Sequence, residues 1–405
     1  MIKKFLFFIS IFGALTNLYP LFSALLGLKF SVVTFLFLLV NILILVLNFK
    51  EFITLLKQKK TFNFLLFFFF IPLVLSVLTE DSNFNFIFAN IYFLTITFVS
   101  AILLQYKYKK LLAFILLFSL VLNLVTTILS MYNPELFLKL ADVFDKSIYA
   151  GGRGFGLFLQ PNTLGHSAVL IFIFSASIFS ENRILYFWTL FLSMTTIFLS
   201  GSRSSIFIFF IAIFVQYLIN LSISRQIKFS YTKYFLFLIC VIFSFFHFTD
   251  MRISEFGNLK NLKDRMITLL DTQNISKDPS QLEREYKREA YYDRIMKKPI
   301  LGHGIGSQHS HKNTGLLSGS AHNTHIDIFY QGGILYYMFY IFFFMQLLYT
   351  STKLKKLNES LWSFYLNVIC ISFLLSFITS SLFSLRVLFV VFGPMLILNN
   401  PIQTK

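Results

Sequence analysis

The sequence predicts an all-α polytopic membrane protein, with about twelve transmembrane helices and a large external loop carrying amphipathic helices. Three observations predict it. Hydrophobic residues make up 56% of the 405, and charged residues only 13%. Mean hydropathy is +0.72, a value foreign to soluble globular domains. The apolar residues form unbroken runs, where a membrane barrel would show alternating segments of ~10 residues. Phenylalanine occurs 56 times. With Ile, Lys and Asn also favoured, that wealth fits an AT-rich gene and is not read as function.

A span needs ~20 apolar residues. Runs near that length fall at roughly 5–26, 29–49, 62–79, 86–105, 111–131, 164–180, 184–200, 205–222, 233–249, 326–349, 361–381 and 386–399. The first follows Lys3 and Lys4 and resembles a signal peptide. It has no small-x-small cleavage site, so it is expected to stay as the first span. A single integral membrane domain covers 1–405, with no fixed-period repeat.

Orientation follows from the loop cations. Lys50, Lys57, Lys59 and Lys60 share one side with Lys107, Lys109, Lys110, Arg225, Lys228, Lys233, Lys353, Lys355 and Lys356. The opposite short loops offer Lys29, Glu80, Asp81 and Arg203. Both termini are therefore expected to be cytoplasmic. Two longer loops, 132–163 and 250–325, then lie outside. Residues 281–298 of the larger place charges and aromatics at helical spacing, and Pro299 ends the run. A helix lying near the membrane surface is expected there, followed by a glycine-rich loop.

The net charge of +17 sits in these short loops and serves topology, so no nucleic acid is expected. Cys240 and Cys370 both lie inside apolar runs, which implies neither a disulfide framework nor a thiolate metal site.

On this topology Arg153, Arg203, Arg284, Arg288, His322 and His325 share the external side. Arg203 stands in "LSGSRSSIF" between two apolar runs. A membrane arginine costs ~2.5–3.5 kcal/mol on insertion scales and tends to face a cavity; snorkelling to the headgroups is the simpler alternative. Arg153 lies in "GGRGFG", a loop able to present a guanidinium and several N–H groups to an anion. Against that stands an ordinary solvated turn. A dinucleotide fingerprint is rejected, because the string follows no strand. Arg284 and Arg288 share a helix face, although Glu283, Glu285 and Glu289 suggest a solvated ion-pair face instead. Gly302, Gly304 and Gly306 in "PILGHGIGS" could bring backbone near a ligand, or form a flexible turn.

Five of the seven histidines are His303, His309, His311, His322 and His325. "QHSH" and "HNTH" lack the spacing that zinc prefers on one helical turn. One exposed histidine fits better as a general base, since its pKa lies near neutrality; a headgroup-level helix cap is the bland alternative. No Asp-x-Asp pair occurs, which argues against a nucleotide-sugar enzyme holding its donor through a divalent metal.

Taken in order, these motifs resemble the O-antigen ligase and O-antigen polymerase superfamily. An external arginine precedes Pro161-Asn162; Ser-Arg-Ser follows at 202–204; then come Pro299, Gly302, Gly304, His322-Asn323 and Gly333-Ile334. The family's tryptophan one turn after the loop arginine is missing here, and both Arg284 and Arg288 stand in place for that arginine.

The resemblance implies a GT-C-like glycosyltransferase of the bacterial inner membrane, its site facing the periplasm and using no cofactor. The donor would be a glycan on undecaprenyl pyrophosphate. Arg153, Arg203, Arg284 and Arg288, with Asn162, Gly302, Gly304 and Asn323, would bind pyrophosphate and substrate without metal. His322 would act as the base, supported by Asp327 and less directly by His325. A polymerase joining repeat units is favoured over a ligase transferring the glycan to the lipid A core. Membrane lipids and a chain-length regulator are the further partners this implies. A lipid-linked oligosaccharide flippase, from another class, would want charges along a central path, whereas these gather at one face.

Overall fold

A computed structural model of the protein describes residues 2–79, 84–105, 109–137, 153–179, 182–224, 279–307, 320–354, 359–378 and 385–396. The expected span at 233–249, and much of both external loops, lie outside them. The described residues are helical, with no strand among them. Among the described residues five helices are long and apolar enough to cross a membrane, or up to seven if each bent pair counts as one span. Three shorter apolar helices, around Phe88–Leu104, Arg203–Leu218 and Trp362–Phe377, accompany them.

The first expected span is bent, and the second turns at its end. α1 (Ile2–Thr16) turns by 106° into α2 (Tyr19–Leu26). Asn17 makes the corner in the left-handed region (φ 54), which Asn tolerates better than most side chains. α3 (Phe30–Leu47) bends by 92° into α4 (Phe49–Leu56). The third span contains α5 (Lys59–Leu65), a π-helical turn at Leu66–Phe70 and α6 (Ile71–Leu78). Pro72 supplies no N–H to the helix ladder, and the wide turn lies immediately before it.

α7 (Phe84–Gln105) and α8 (Lys109–Tyr132) precede the loop that holds Arg153. α9 (Pro161–Ile178) is the central helix, buried over most of its length. It packs against α8, α10 (Arg183–Ser200), α11 (Arg203–Ser224), α14 (Glu359–Ile378) and α15 (Arg386–Leu396). Lipid is as apolar as leucine, so helices in a membrane need close packing and polar contacts to associate. Both are present. Gly165 of α9 leaves no room for a Cβ, which would come within 2.5 Å of Ser205 Oγ. Gln216 of α11 donates to Ser363 of α14 (2.8 Å), and Asn367 of α14 donates back to Gln216 (3.0 Å).

α12 (Pro279–Ile295) is the expected amphipathic helix of the large loop. α13 (Thr324–Leu354) follows the glycine-rich loop and is broken at Gly333 (φ 61, ψ −163).

One end of the bundle gathers many helix ends. Asn123 of α8 donates to the Leu15 carbonyl of α1. Gly154 N–H reaches the Leu199 carbonyl at the end of α10 (2.9 Å). Asn17 Nδ2 holds the Leu157 carbonyl (2.6 Å), and Arg386 at the start of α15 donates to Asn17 while lying over the Tyr19 ring. The expected site residues lie at this end.

Candidate active site

Arg153 is held by two acceptors from different helices. Its Nε donates to the Ser200 carbonyl (2.9 Å) and its Nη2 to Asn162 Oδ1 (2.7 Å). The first ties it to the end of α10, the second to the first turn of α9. Asn162 thus orients the guanidinium. Arg203 begins α11 three residues beyond Ser200 and is half-buried. Next to it, Ser204 hydrogen bonds with His166 Nε2 (3.0 Å), one turn along α9 from Asn162. Arg153, Asn162, His166, Ser204 and Arg203 therefore form one cluster where α9, α10 and α11 meet.

The second cluster comes from α12 and the start of α13. Arg284, Lys287 and Arg288 are half-buried, whereas Glu283, Glu285 and Glu289 are exposed. The solvated ion-pair face is thereby corrected: the acids point out and the cations point in, apart from Lys287, which also pairs with Glu283 (3.0 Å). The reason lies in the stripe Arg284, Arg288, Tyr291 and Ile295. Tyr291 and Ile295 are buried against Ile326 and Tyr330 of α13. Their burial turns the same stripe, one and two turns earlier, toward the bundle. Both arginines are therefore turned toward the bundle.

His322 faces these cations. It sits in the left-handed region (φ 57), and backbone strain of this kind tends to be kept where function requires it. Burial first, then the charges of Arg284 and Lys287, push its pKa down to about 4. Among the described residues no group hydrogen bonds to its ring. Arg284 joins the clusters, since its charge acts on both His322 and His166.

Asp327 does not pair with a histidine. Its carboxylate accepts from Ser320 Oγ and from the Ala321 N–H (2.9 Å), and Ser320 Oγ accepts from the His322 N–H (3.1 Å). It holds the strained backbone under His322. An Asp327→Ala variant leaves those donors unmet, at about 1–3 kcal/mol. We expect it to reach the membrane and, purified in detergent, to melt below wild type.

Asn323 caps α13, accepting from the His325 N–H (2.9 Å). His325 turns away, bonding Ser376 of α14 (2.8 Å) among Tyr337, Tyr340, Phe373 and Phe377. It ties two helices together.

The glycine-rich loop approaches a backbone, but that of α13. Gly304 N–H donates to the Gln331 carbonyl and His303 N–H to the Tyr330 carbonyl (both 2.8 Å); Gly302 N–H bonds the Lys298 carbonyl (3.1 Å). The Ile334 N–H, freed by the helix break, donates to the Pro299 carbonyl (2.8 Å). The donation expected of Gly302 and Gly304 toward a ligand is thus taken by protein. Pro299, Gly302, Gly304, Gly333 and Ile334 form one clamp, which sets α12 and the His322 segment at a fixed spacing.

Sequence reasoning missed Lys287, His166 and the Arg386–Asn17 pair. Lys287 was legible as the i+3 neighbour of Arg284. His166 stood in "NTLGH" without a partner visible in sequence. The Arg386–Asn17 pair joins residues too distant along the chain for any local pattern. His309 and His311 lie outside the described residues.

Fold and site together define a polytopic helical membrane protein with an arginine-rich, histidine-bearing site at one end of its bundle. Residues 188–341 match the family model described as O-antigen ligase. That match is consistent with the O-antigen ligase and polymerase superfamily, whose members are glycosyltransferase-like enzymes acting on lipid-linked glycans. The match begins inside α10 and ends inside α13, taking in Arg203, α12, the clamp and His322. No curated protein matches the sequence.

Proposed function

We propose that this chain is a polymerase of O-antigen or capsular type. It joins repeat units carried on undecaprenyl pyrophosphate at the outer face of the bacterial inner membrane. Both termini are cytoplasmic on this reading, and the site faces the periplasm. The observation that carries it is the pair of clusters at one end of the bundle: Arg153 and Arg203 near His166, and Arg284 and Arg288 near His322, whose ring has no hydrogen-bond partner among the described residues.

The chemistry is a single displacement. A hydroxyl of the acceptor unit attacks the anomeric carbon of the donor, and the bond to the lipid pyrophosphate breaks with its electron pair. His322 takes the hydroxyl proton. The leaving group gains negative charge, and guanidinium forks suit its oxygens bidentately. Charge stabilisation at the leaving group is the main task, and cations held in advance perform it without reorganisation. An inverted anomeric centre follows. Glycan turnover is expected to persist in a chelator; a strict zinc or magnesium requirement would sink the arginine-based mechanism.

The second reading, a ligase transferring glycan to the lipid A core, is favoured by the description of the matching family. Glycan analysis of a deletion strain separates the two. Single repeat units on the lipid core mean a lost polymerase. Long chains stranded on undecaprenyl pyrophosphate mean a lost ligase and overturn the first reading.

A further inference from the structure

α13 is longer than a membrane requires. It has 31 residues in two stretches joined at the Gly333 break, against the ~20 residues that a hydrocarbon core of ~30 Å requires. Exposure divides the helix at its break. None of residues 324–333 is exposed. From Ile334 onward an apolar face opens, with Met338 62%, Phe342 58% and Met345 63% exposed. The first stretch is wrapped by protein. The second presents the surface that acyl chains cover. The hydrocarbon edge thus falls near Ile334.

The α12–α13 loop meets the helix at that level, because the Pro299 carbonyl binds the Ile334 N–H. On the loop's outer side Met296 is 77% exposed, Ile300 62% and Leu301 38%. Lys297 and Lys298, between them, are exposed as well. An exposed apolar trio flanking two lysines is costly in water and suits a boundary where one side is apolar and the other anionic.

We propose that the tip from Met296 to Leu301 is a lipid anchor. Its three apolar side chains enter the boundary between headgroups and acyl chains, and Lys297 and Lys298 reach the phosphates of anionic headgroups. The occupant is bilayer lipid. The tip is fastened to α13 on one side and to lipid on the other, so it sets the height of the α12 cations above the acyl chains. This inference goes beyond the glycosyltransferase reading and rests only on the chain spanning a membrane.

The test uses the full chain in nanodiscs. Met296→Trp and, separately, Ile300→Trp are placed in a background where Trp188 and Trp362 are phenylalanine. Both are expected to show blue-shifted emission and to lose emission to lipids brominated near the headgroup, more than to lipids brominated at mid-chain. The loss is expected to grow with phosphatidylglycerol content, and that growth to vanish when Lys297 and Lys298 are changed to glutamine. Water-like emission indifferent to bromine at both positions would overturn the anchor. So would blue-shifted emission indifferent to bromine, which would mean that protein covers the tip.

Discussion

A His322→Ala variant is expected to insert normally and to make no long-chain glycan. General-base catalysis is worth ~10²–10⁴-fold, enough to leave single repeat units on a gel. Normal chain lengths in that variant would remove His322 from the mechanism. The pH profile offers a finer check. With its pKa pushed down to about 4, His322 is neutral at pH 7 and free to accept a proton. Protonation disables it as pH falls, so kcat/KM should hold from neutrality down to near that value and then drop. Bound pyrophosphate offsets Arg284, Lys287 and Arg288, whose charges help to hold the pKa down. In the complex the pKa rises, making His322 a stronger base once the substrate is seated. The acid limb of kcat should therefore lie at higher pH than that of kcat/KM; coincident limbs would refute the coupling. Stability has the same sign. The folded pKa lies below the ordinary 6.5, so this group's contribution is present above about 6.5 and is lost as pH falls toward the folded value.

Gly333→Ala is expected to destabilise the fold more than any other single methyl added at a glycine of the clamp. Its φ of 61 already disfavours a side chain, and the new Cβ would lie 2.2 Å from the Ile300 carbonyl oxygen. Neither backbone can yield without breaking the bonds at Pro299, Tyr330 and Gln331. Strain alone costs about 1–3 kcal/mol, and the overlap adds to it. Gly27→Ala is the milder comparison: φ 62 and ψ 24 put it in the left-handed helical region, with open space around the Cβ, so only that smaller strain remains. Melting of the purified proteins in detergent should show a large loss for Gly333→Ala and a small one for Gly27→Ala. Equal losses would mean that the clamp contributes no more than local strain.

The helical membrane fold was legible because lipid imposes one rule on every span: ~20 apolar residues with internal backbone bonding. Eleven of the twelve expected runs coincide with helices, and the twelfth, 233–249, lies outside the described residues. The 106° bend was not legible, because apolar residues flank Asn17 on both sides; the 92° bend falls at Asn48, where the second run gives way to Lys50 and Glu51. Arg153 and Arg203 were legible as scarce polar residues next to apolar runs, whereas Arg284, Arg288 and His322 lie in the polar external loop and were singled out by the order of the motifs.

Their division of labour was not. A sequence shows that Asp327 follows His322 by about a turn; it does not show that the carboxylate points back to Ser320 and Ala321. The glycines of 302 and 304 read as ligand contacts until α13 was seen to break at Gly333 and take up their bonds. By itself the sequence determined the membrane fold and which scarce polar residues to inspect, since both follow from the cost of placing each side chain in lipid. Only the tertiary structure decided which cations face His322 and what holds it in place. Those depend on residues more than a hundred positions apart, such as Arg284, whose charge acts on His166, and Asn17, which bonds Leu157, and on which stripe of α12 is buried.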